Sequence, residues 1–179
     1  MNIEELLSQK INIADIAGVA AWASESPQHR AILWQFVHAD HRKVSVNALW
    51  VMTHMVRSES AWIASLQDEL TDMLLRETDT ARKRMLLQLL REQEYTPDNI
   101  RTDLLDYCLS KINSECEPYA IRAFSIYLSF KMCRHYPELL AELQHHLYML
   151  TQQTLSPGLM TARRKTLADI IKITYTPQT

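Results

Sequence analysis

The sequence predicts an all-α protein built from stacked helical repeats, with about ten helices joined by short links. Apolar residues recur at helical spacing along the chain, and no segment shows the alternation typical of a half-buried strand. Only 2 of the 179 residues are glycine, against an average of about 7%, which disfavours hairpin turns and phosphate-binding loops. Prolines stand where helices are predicted to begin: Pro27, Pro97, Pro118, Pro137 and Pro157.

The first half of the chain is predicted to contain six helices. Their ranges are 2–9, 13–24, 27–39, 42–58, 60–76 and 80–93. Side chains that can cap a helix stand at most of the predicted starts: Asn12 or Asp15, Ser26, Ser60, and Asp79 or Thr80. The range 42–58 is apolar on two sides, which predicts an inner helix, whereas 60–76 carries one apolar stripe that fits the 3.6-residue period.

The second half is predicted to contain four helices, and the second of them organises the rest. This helix, 118–135, is apolar on nearly all sides, so we expect it to be buried against several neighbours. Its polar edge is expected to face water and consists of Arg122, Ser125, Ser129 and Lys131. The helices 137–152 and 157–173 follow it. The residues of the last helix that we expect to face inward are Leu159, Leu167, Ile170 and Ile171.

Two segments of the chain match each other at the level of letters. Residues 80–86 read TARKRML and residues 161–167 read TARRKTL. A leucine-striped helix precedes each segment, and a broadly apolar helix precedes that one. The three helices over 42–93 therefore parallel the three helices over 118–173, a recurrence typical of stacked helical repeats.

The C-terminal third of the chain combines three features. An alanine-containing apolar helix ends in the turn Pro137-Glu138-Leu139, a leucine-striped helix follows, and the basic segment TARRKTL lies in the final helix. Together these features, over residues 117–173, resemble uncharacterised HEAT-like proteins common in Bacteroidetes; Thr161-Ala162 replaces the Gly/Ser-rich link of that family. The resemblance implies a right-handed α–α superhelix of HEAT/ARM-like repeats. The length of the chain fits one domain, over residues 1–175, and we expect a loose tail over 176–179.

Motifs that carry catalytic chemistry are absent from the sequence. Neither HExxH nor GxSxG appears. The pairs His38/His41 and His145/His146 are the best candidates for a site, and we interpret them as surface or capping histidines. We therefore predict no catalytic residue, no metal and no cofactor. The four tryptophans are interpreted as packed core aromatics, with exposed recognition residues as the alternative: Trp22, Trp34, Trp50 and Trp62.

The overall composition predicts a cytoplasmic protein without a membrane segment. The formal net charge of −2 provides no general attraction to nucleic acid or to an anionic membrane. No run of about 18 apolar residues is present, and the N-terminal MNIEELLSQK is acidic where a signal peptide is basic. The cysteines Cys108, Cys116 and Cys133 share no metal-type spacing, which is typical of free thiols in a reducing compartment.

Two basic clusters occupy equivalent repeat positions and are the candidate binding site. Cluster 1 consists of Arg82, Lys83 and Arg84, and cluster 2 consists of Arg163, Arg164 and Lys165. Stacking is expected to place both on one side of the molecule, where they would contact an acidic protein surface or phosphates. The alternative is that these residues are solvated first-turn side chains without a partner.

We predict a non-enzymatic scaffold that binds another protein on the concave surface of a helical-repeat domain. The alternative is a nucleic-acid-binding protein resembling the alkylpurine DNA glycosylases, which are built from HEAT-like repeats. The tryptophans and the basic clusters favour this alternative. The negative net charge disfavours it, and no position matches the catalytic aspartate of those enzymes with its aromatic neighbours.

Overall fold

The computed structural model describes residues 2–175, which form eleven α-helices and one short 3₁₀-helix, with no strand among them. In chain order, α1 to α11 are Ile3–Ser8, Ile13–Ser24, Pro27–Val37, Arg42–Met55, Ser60–Ser65, Gln67–Arg76, Thr80–Arg91, Thr102–Ile112, Tyr119–Cys133, Pro137–Met149 and Pro157–Tyr175, and the 3₁₀-helix η1 is Leu150–Gln152. The predicted all-α fold is confirmed. The loose tail predicted over 176–179 lies outside the described residues.

Most predicted capping residues do cap a helix. Asn12 and Asp15 act together, because each side chain accepts a hydrogen bond from the backbone N–H of the other at 3.0 Å. Ser26 accepts from the third residue of α3 at 3.1 Å, and Asp79 accepts from the third residue of α7 at 3.0 Å. The prediction for Ser60 is wrong, since α5 begins after Glu59 and has no side-chain cap.

The single helix predicted over 60–76 is wrong, because the chain breaks it at Leu66. The N–H of Leu66 bonds to the carbonyl of Ile63, three residues back, at 3.1 Å, and α6 starts again from Leu66. This tighter turn keeps Ile63 and Leu70 both fully buried. Apolar spacing is the same on both sides of the break, so periodicity alone does not reveal it.

Pro97 does not begin a helix, which corrects a second prediction. Residues 97–99 form a turn, and α8 begins at Thr102. The side chain of Asn99 closes the turn by accepting from the N–H of Thr96 at 2.7 Å and by donating to the carbonyl of Glu94 at 3.0 Å. Proline suits the early position of a turn as well as that of a helix, so the residue by itself does not distinguish the two.

The chain divides into two compact units, of which unit 1 ends at Gln93 and unit 2 begins at Glu94. In unit 1, α4 packs against α1, α2, α3 and α7, and α6 packs against α7. The inner, two-sided character predicted for α4 is thus confirmed. Its buried residues are Val44, Ser45, Ala48, Leu49, Val51, Met52 and Met55.

In unit 2, α9 has the equivalent position. It packs against α8, α10 and α11, and α10 also packs against α11. In both units the central helix packs against the last helix of its triplet, α7 in unit 1 and α11 in unit 2.

The water-facing edge predicted for α9 is wrong. Arg122 is 2% exposed, and Ser125 and Ser129 are fully buried, whereas Ala120 is exposed. Two serines one turn apart have small side chains, so neighbouring helices can approach closely there. Because apolar residues cover most of α9, polarity alone did not indicate which side carries the neighbours.

Candidate functional site

The two basic clusters lie in different turns of their helices. Cluster 1 occupies the first turn of α7, which begins at Thr80, whereas cluster 2 lies one turn further along α11, which begins at Pro157. Cluster 1 belongs to unit 1 and cluster 2 to unit 2. The expected placement of both clusters on one side of the molecule stays a prediction.

Arg82, the first member of cluster 1, is half-buried and bonded within unit 1. Its Nε donates to the carboxylate of Glu77, and its Nη1 donates to the carbonyl oxygen of Val37 at 3.2 Å. Val37 is the last residue of α3, and the same carbonyl accepts from the hydroxyl of Ser45 at 2.7 Å. Arg82 thus ties the C-terminus of α3 to the start of α7.

Arg163, the repeat equivalent of Arg82, has a similar use in unit 2. It is half-buried, and its Nε donates to the carbonyl oxygen of Leu147, near the end of α10, at 2.7 Å. Both arginines therefore satisfy carbonyls close to a helix C-terminus, where a cation is also favoured by the helix dipole. The matching segments 80–86 and 161–167 therefore each contain an arginine that donates to a carbonyl near a helix C-terminus.

Glu77 is held as a carboxylate beside Arg82. Burial by itself raises the pKa of Glu77, but hydrogen bonds from Arg82 and from the N–H of Asp79, together with the charge of Arg82, lower it overall. A lowered pKa means that Glu77 stabilises the folded state above its ordinary pKa of 4.5. The stabilisation disappears as the pH falls through the lowered folded value.

We expect the Glu77→Gln variant to be less stable than the wild type near neutral pH, and to approach the wild type in acid. The measurement is urea unfolding of both proteins across the acid range, followed by tryptophan fluorescence, since all four tryptophans lie before Gln93. Glu69→Gln, at an exposed position, is the matched control and should show a much smaller difference. If the difference in unfolding free energy between Glu77→Gln and the wild type were independent of pH, the lowered pKa of Glu77 would be contradicted.

The outer members of the clusters point to solvent. Arg84, Arg164 and Lys165 are exposed, and Lys83 is half-buried. Of the six predicted contact residues, these three exposed cations are the ones whose head groups are available to a partner. Arg42, another exposed cation of unit 1, is paired with Asp79 at 2.6 Å.

Helix α11 presents an exposed apolar stripe that the sequence reasoning missed. Met160 is 55% exposed, Ile171 48% and Tyr175 79%. Together with the exposed Arg164, these residues form the outer face of α11, spaced along the helix by four, seven and four positions. The inward orientation predicted for Ile171 is therefore wrong. The sequence does contain a signal for this stripe, because Met160, Ile171 and Tyr175 recur at helical spacing on a different side from the buried Leu159 and Ile170.

The tryptophans are neither fully buried nor fully exposed. All four are half-buried. Three of them contact a histidine, with ring centroids 4.4 Å apart for Trp22–His29, 4.7 Å for Trp34–His38 and 6.2 Å for Trp50–His54. Each tryptophan is therefore partly packed against its own unit and partly accessible to solvent, so neither the core interpretation nor the recognition interpretation fits fully.

Three of the four histidines that suggested a metal site have structural partners, and the fourth, His145, is exposed. Nδ1 of His38 lies 2.9 Å from the carbonyl of Trp34, and His41 caps α4 through Nδ1 at 3.4 Å from the N–H of Val44. His146 is bonded to Asn113. Within residues 2–175, no group of three His, Cys, Asp or Glu side chains is placed to hold a metal ion.

The cysteines are free thiols in two different environments. Cys108 and Cys133 are buried and Cys116 is exposed. Burial raises the pKa of Cys108, and it raises the pKa of Cys133 to about 12. A raised pKa favours the protonated form of both buried thiols at neutral pH.

Comparison with known proteins assigns the chain to a family. The model of the HEAT repeat domain matches residues 3–170, while no curated protein and no solved structure matches the chain. Within the described residues, no helix is long and apolar enough to cross a membrane. The HEAT-like family expected from the C-terminal third is confirmed, and its distribution among Bacteroidetes stays a prediction. Since the match spans nearly all of the all-helical chain, the protein belongs to the HEAT repeat domain family.

Proposed function

We propose that this protein is a non-enzymatic scaffold that binds another protein. Stacked helical repeats generally offer extended surfaces to protein partners, and the family match covers residues 3–170. The sequence predicted a concave repeat surface as the binding face, whereas the exposed side chains of unit 2 favour the outer face of α11. A cytoplasmic location is a further part of this proposal. The exposed free thiol of Cys116 supports a reducing compartment.

The observation that carries the proposal is the outer face of α11. Exposed apolar residues scattered singly are ordinary, but a row of them along one helix face is typical of a docking surface. Met160, Ile171 and Tyr175 form such a row, and α11 is 19 residues long. Buried against a partner, methionine, isoleucine and tyrosine supply large apolar contact areas.

The charges on α11 indicate an acidic partner. Arg164 and Lys165 are exposed beside the apolar row, and the exposed Lys172 pairs with Asp169 at 2.9 Å. Asp169 is the only acidic residue in α11. We therefore infer that the occupant is an amphipathic helix with an acidic flank, which packs along α11 in the way that helices fill hydrophobic grooves.

Nucleic-acid binding is the competing function, and in the sequence it is favoured by the tryptophans and the two basic clusters. Three indole rings are already in contact with histidines, and Arg82 and Arg163 donate to carbonyls of their own units. Fewer aromatic faces and cations are therefore available to bases and phosphates than the sequence suggested. The test described next treats nucleic acid as one of its outcomes.

The test is capture of partners from native lysate, with and without nuclease, using the wild type and the double variant Arg164→Glu/Ile171→Glu. A photo-crosslinking residue at Met160 identifies the peptide that lies on α11. The matched control is Ile13→Glu/Arg57→Glu, which makes the same change of charge and polarity at exposed positions of unit 1. Circular dichroism of each variant confirms that the helices are retained.

The proposal expects an acidic amphipathic segment crosslinked at Met160, and a loss of capture by about tenfold or more in the α11 variant only. Capture that survives in the α11 variant would contradict the assignment to the outer face of α11. Recovery of nucleic acid, with binding that falls steeply as salt rises, would replace the protein-binding function by the nucleic-acid one.

A further inference from the structure

Unit 2 contains a cleft at the N-terminus of α9, and none of the residues on the outer face of α11 lines it. The cleft has a volume of about 480 Å³ and is lined mainly by Glu115, Cys116, Pro118, Tyr119, Arg122 and Gln153. Glu117 and Thr154 complete its wall. Among these residues Arg122 is nearly buried, at 2% exposure, while Glu115, Cys116 and Tyr119 are exposed.

Arg122 brings a buried positive charge to this cleft without a carboxylate partner among the described residues. Its Nε donates to the carbonyl oxygen of Ile112 at 2.9 Å, and its Nη2 donates to Oε1 of Gln153. Both acceptors are neutral. Burial lowers the pKa of Arg122, although a guanidinium stays charged at neutral pH. A buried cation whose hydrogen-bond acceptors are both neutral, and whose nearby carboxylate, Glu115, is exposed at the rim, favours a further anion beside it.

The other charges around the cleft restrict which anion fits. Glu117 is neutralised by Lys111 at 2.9 Å. Glu115 is exposed at the rim and interacts electrostatically with Arg122. The first turn of α9 has no side-chain cap, which adds partial positive charge on the N-terminal side. One guanidinium, opposed by one rim carboxylate, suits a singly charged anion better than a phosphate dianion.

An apolar groove adjoins the cleft and shares Tyr119 with it. This groove has a volume of about 600 Å³, and its lining includes Ala123, Tyr127, Gly158 and Leu159. The guanidinium carbon of Arg122 lies 5.9 Å from the centre of the Tyr119 ring, so the charged floor and the apolar groove are neighbours. Nothing lies within 4 Å of a Cβ built on Gly158, which leaves the mouth of the groove open.

We propose that unit 2 binds an apolar monocarboxylate, whose carboxylate pairs with Arg122 and whose apolar group fills the groove beside Tyr119. Two sources provide this chemistry: the C-terminal residue of a peptide with an apolar side chain, and a free medium-chain fatty acid. The inference goes beyond the scaffold function and uses other residues than the outer face of α11.

The test is an NMR titration of the full chain with octanoate, with an acetylated tripeptide ending in leucine, and with the same tripeptide as its C-terminal amide. Inorganic phosphate is the control for anions in general. We expect binding of at least one carboxylate probe at about millimolar concentration or tighter, with shifts at Arg122 and Gly158 and no such shifts for the amide or for phosphate. Binding of octanoate alone assigns a fatty acid, and binding of the tripeptide assigns a peptide terminus.

Three variants separate binding from folding. Glu115→Gln removes the repelling carboxylate at an exposed position and should tighten binding by about threefold. Gly158→Phe adds a large side chain to a lining residue of the groove without a clash at Cβ, and it should weaken binding by about tenfold or more. Arg122→Lys should also weaken binding by about tenfold or more. If Arg122→Lys does not fold, Glu115→Gln and Gly158→Phe still test the proposal.

Equal binding of the free and amidated tripeptides would overturn the proposal, and so would unchanged binding in Gly158→Phe. Absence of binding by every probe would also overturn it. The α11 double variant should bind the carboxylate as the wild type does. Failure of this inference is therefore distinguishable from failure of the scaffold function.

Discussion

Replacement of Arg122 by methionine is expected to lower the free energy of unfolding of unit 2 by about 3 kcal/mol. Arg122 connects the last residue of α8, Ile112, to Gln153 in the segment after η1. Gln153 in turn donates to the carbonyl of Asn113 at 3.1 Å, so both arms close on the C-terminus of α8. Methionine fills similar space but removes the donor from the buried carbonyl of Ile112 and from the half-buried amide oxygen of Gln153.

The measurement for Arg122→Met is urea unfolding followed by far-ultraviolet circular dichroism, because unit 2 contains no tryptophan. Arg134→Met is the control, since Arg134 is exposed and its nearest carboxylate, that of Glu94, lies 3.9 Å away. We expect the control to change stability by no more than about 0.5 kcal/mol. Equal effects of the two substitutions would show that the bonds of Arg122 contribute little.

Replacement of Arg82 by alanine is expected to destabilise unit 1 by about 2 kcal/mol, whereas Arg84→Ala should change stability by no more than about 0.5 kcal/mol. The two arginines stand two positions apart in the same cluster. Arg82 bonds to Glu77 and to the carbonyl of Val37, while Arg84 points to solvent. Loss of Arg82 leaves Glu77 half-buried without its counter-charge.

Tryptophan fluorescence in urea measures the effect of Arg82 and Arg84, because all four indoles belong to unit 1. The repeat provides a second comparison in unit 2, where Arg163→Ala should destabilise and Lys165→Ala should not. Circular dichroism follows that pair. If Arg84→Ala destabilised unit 1 as much as Arg82→Ala, the division of cluster 1 into a structural and an exposed member would be wrong.

These results bear on the site expected from the sequence. A substitution of Arg82 or Arg163 that reduces partner binding reports on folding as well as on contact, because both side chains are bonded within their units. Substitutions of Arg84, Arg164 and Lys165 test contact with less effect on folding. Binding experiments on the basic clusters are therefore best made with the exposed members.

The sequence by itself determined the helical fold, most of the capping sites and the inner position of α4 and α9. These features depend on interactions over a few residues, such as the capping box of Asn12 and Asp15, or on how apolar a helix is in total. The repeat of residues 80–86 at 161–167 was likewise visible, because it is a match of letters.

Only the tertiary structure decided which side of each helix meets its neighbours. Arg122, Ser125 and Ser129 are polar and yet buried, because α8, α10 and α11 close around α9. The carbonyl of Ile112 accepts a hydrogen bond from the buried Arg122. Ile171 is apolar and yet exposed, because no described helix packs on that side of α11. Side-chain polarity sets the free energy of burial, but the positions of neighbouring helices set which residues are buried.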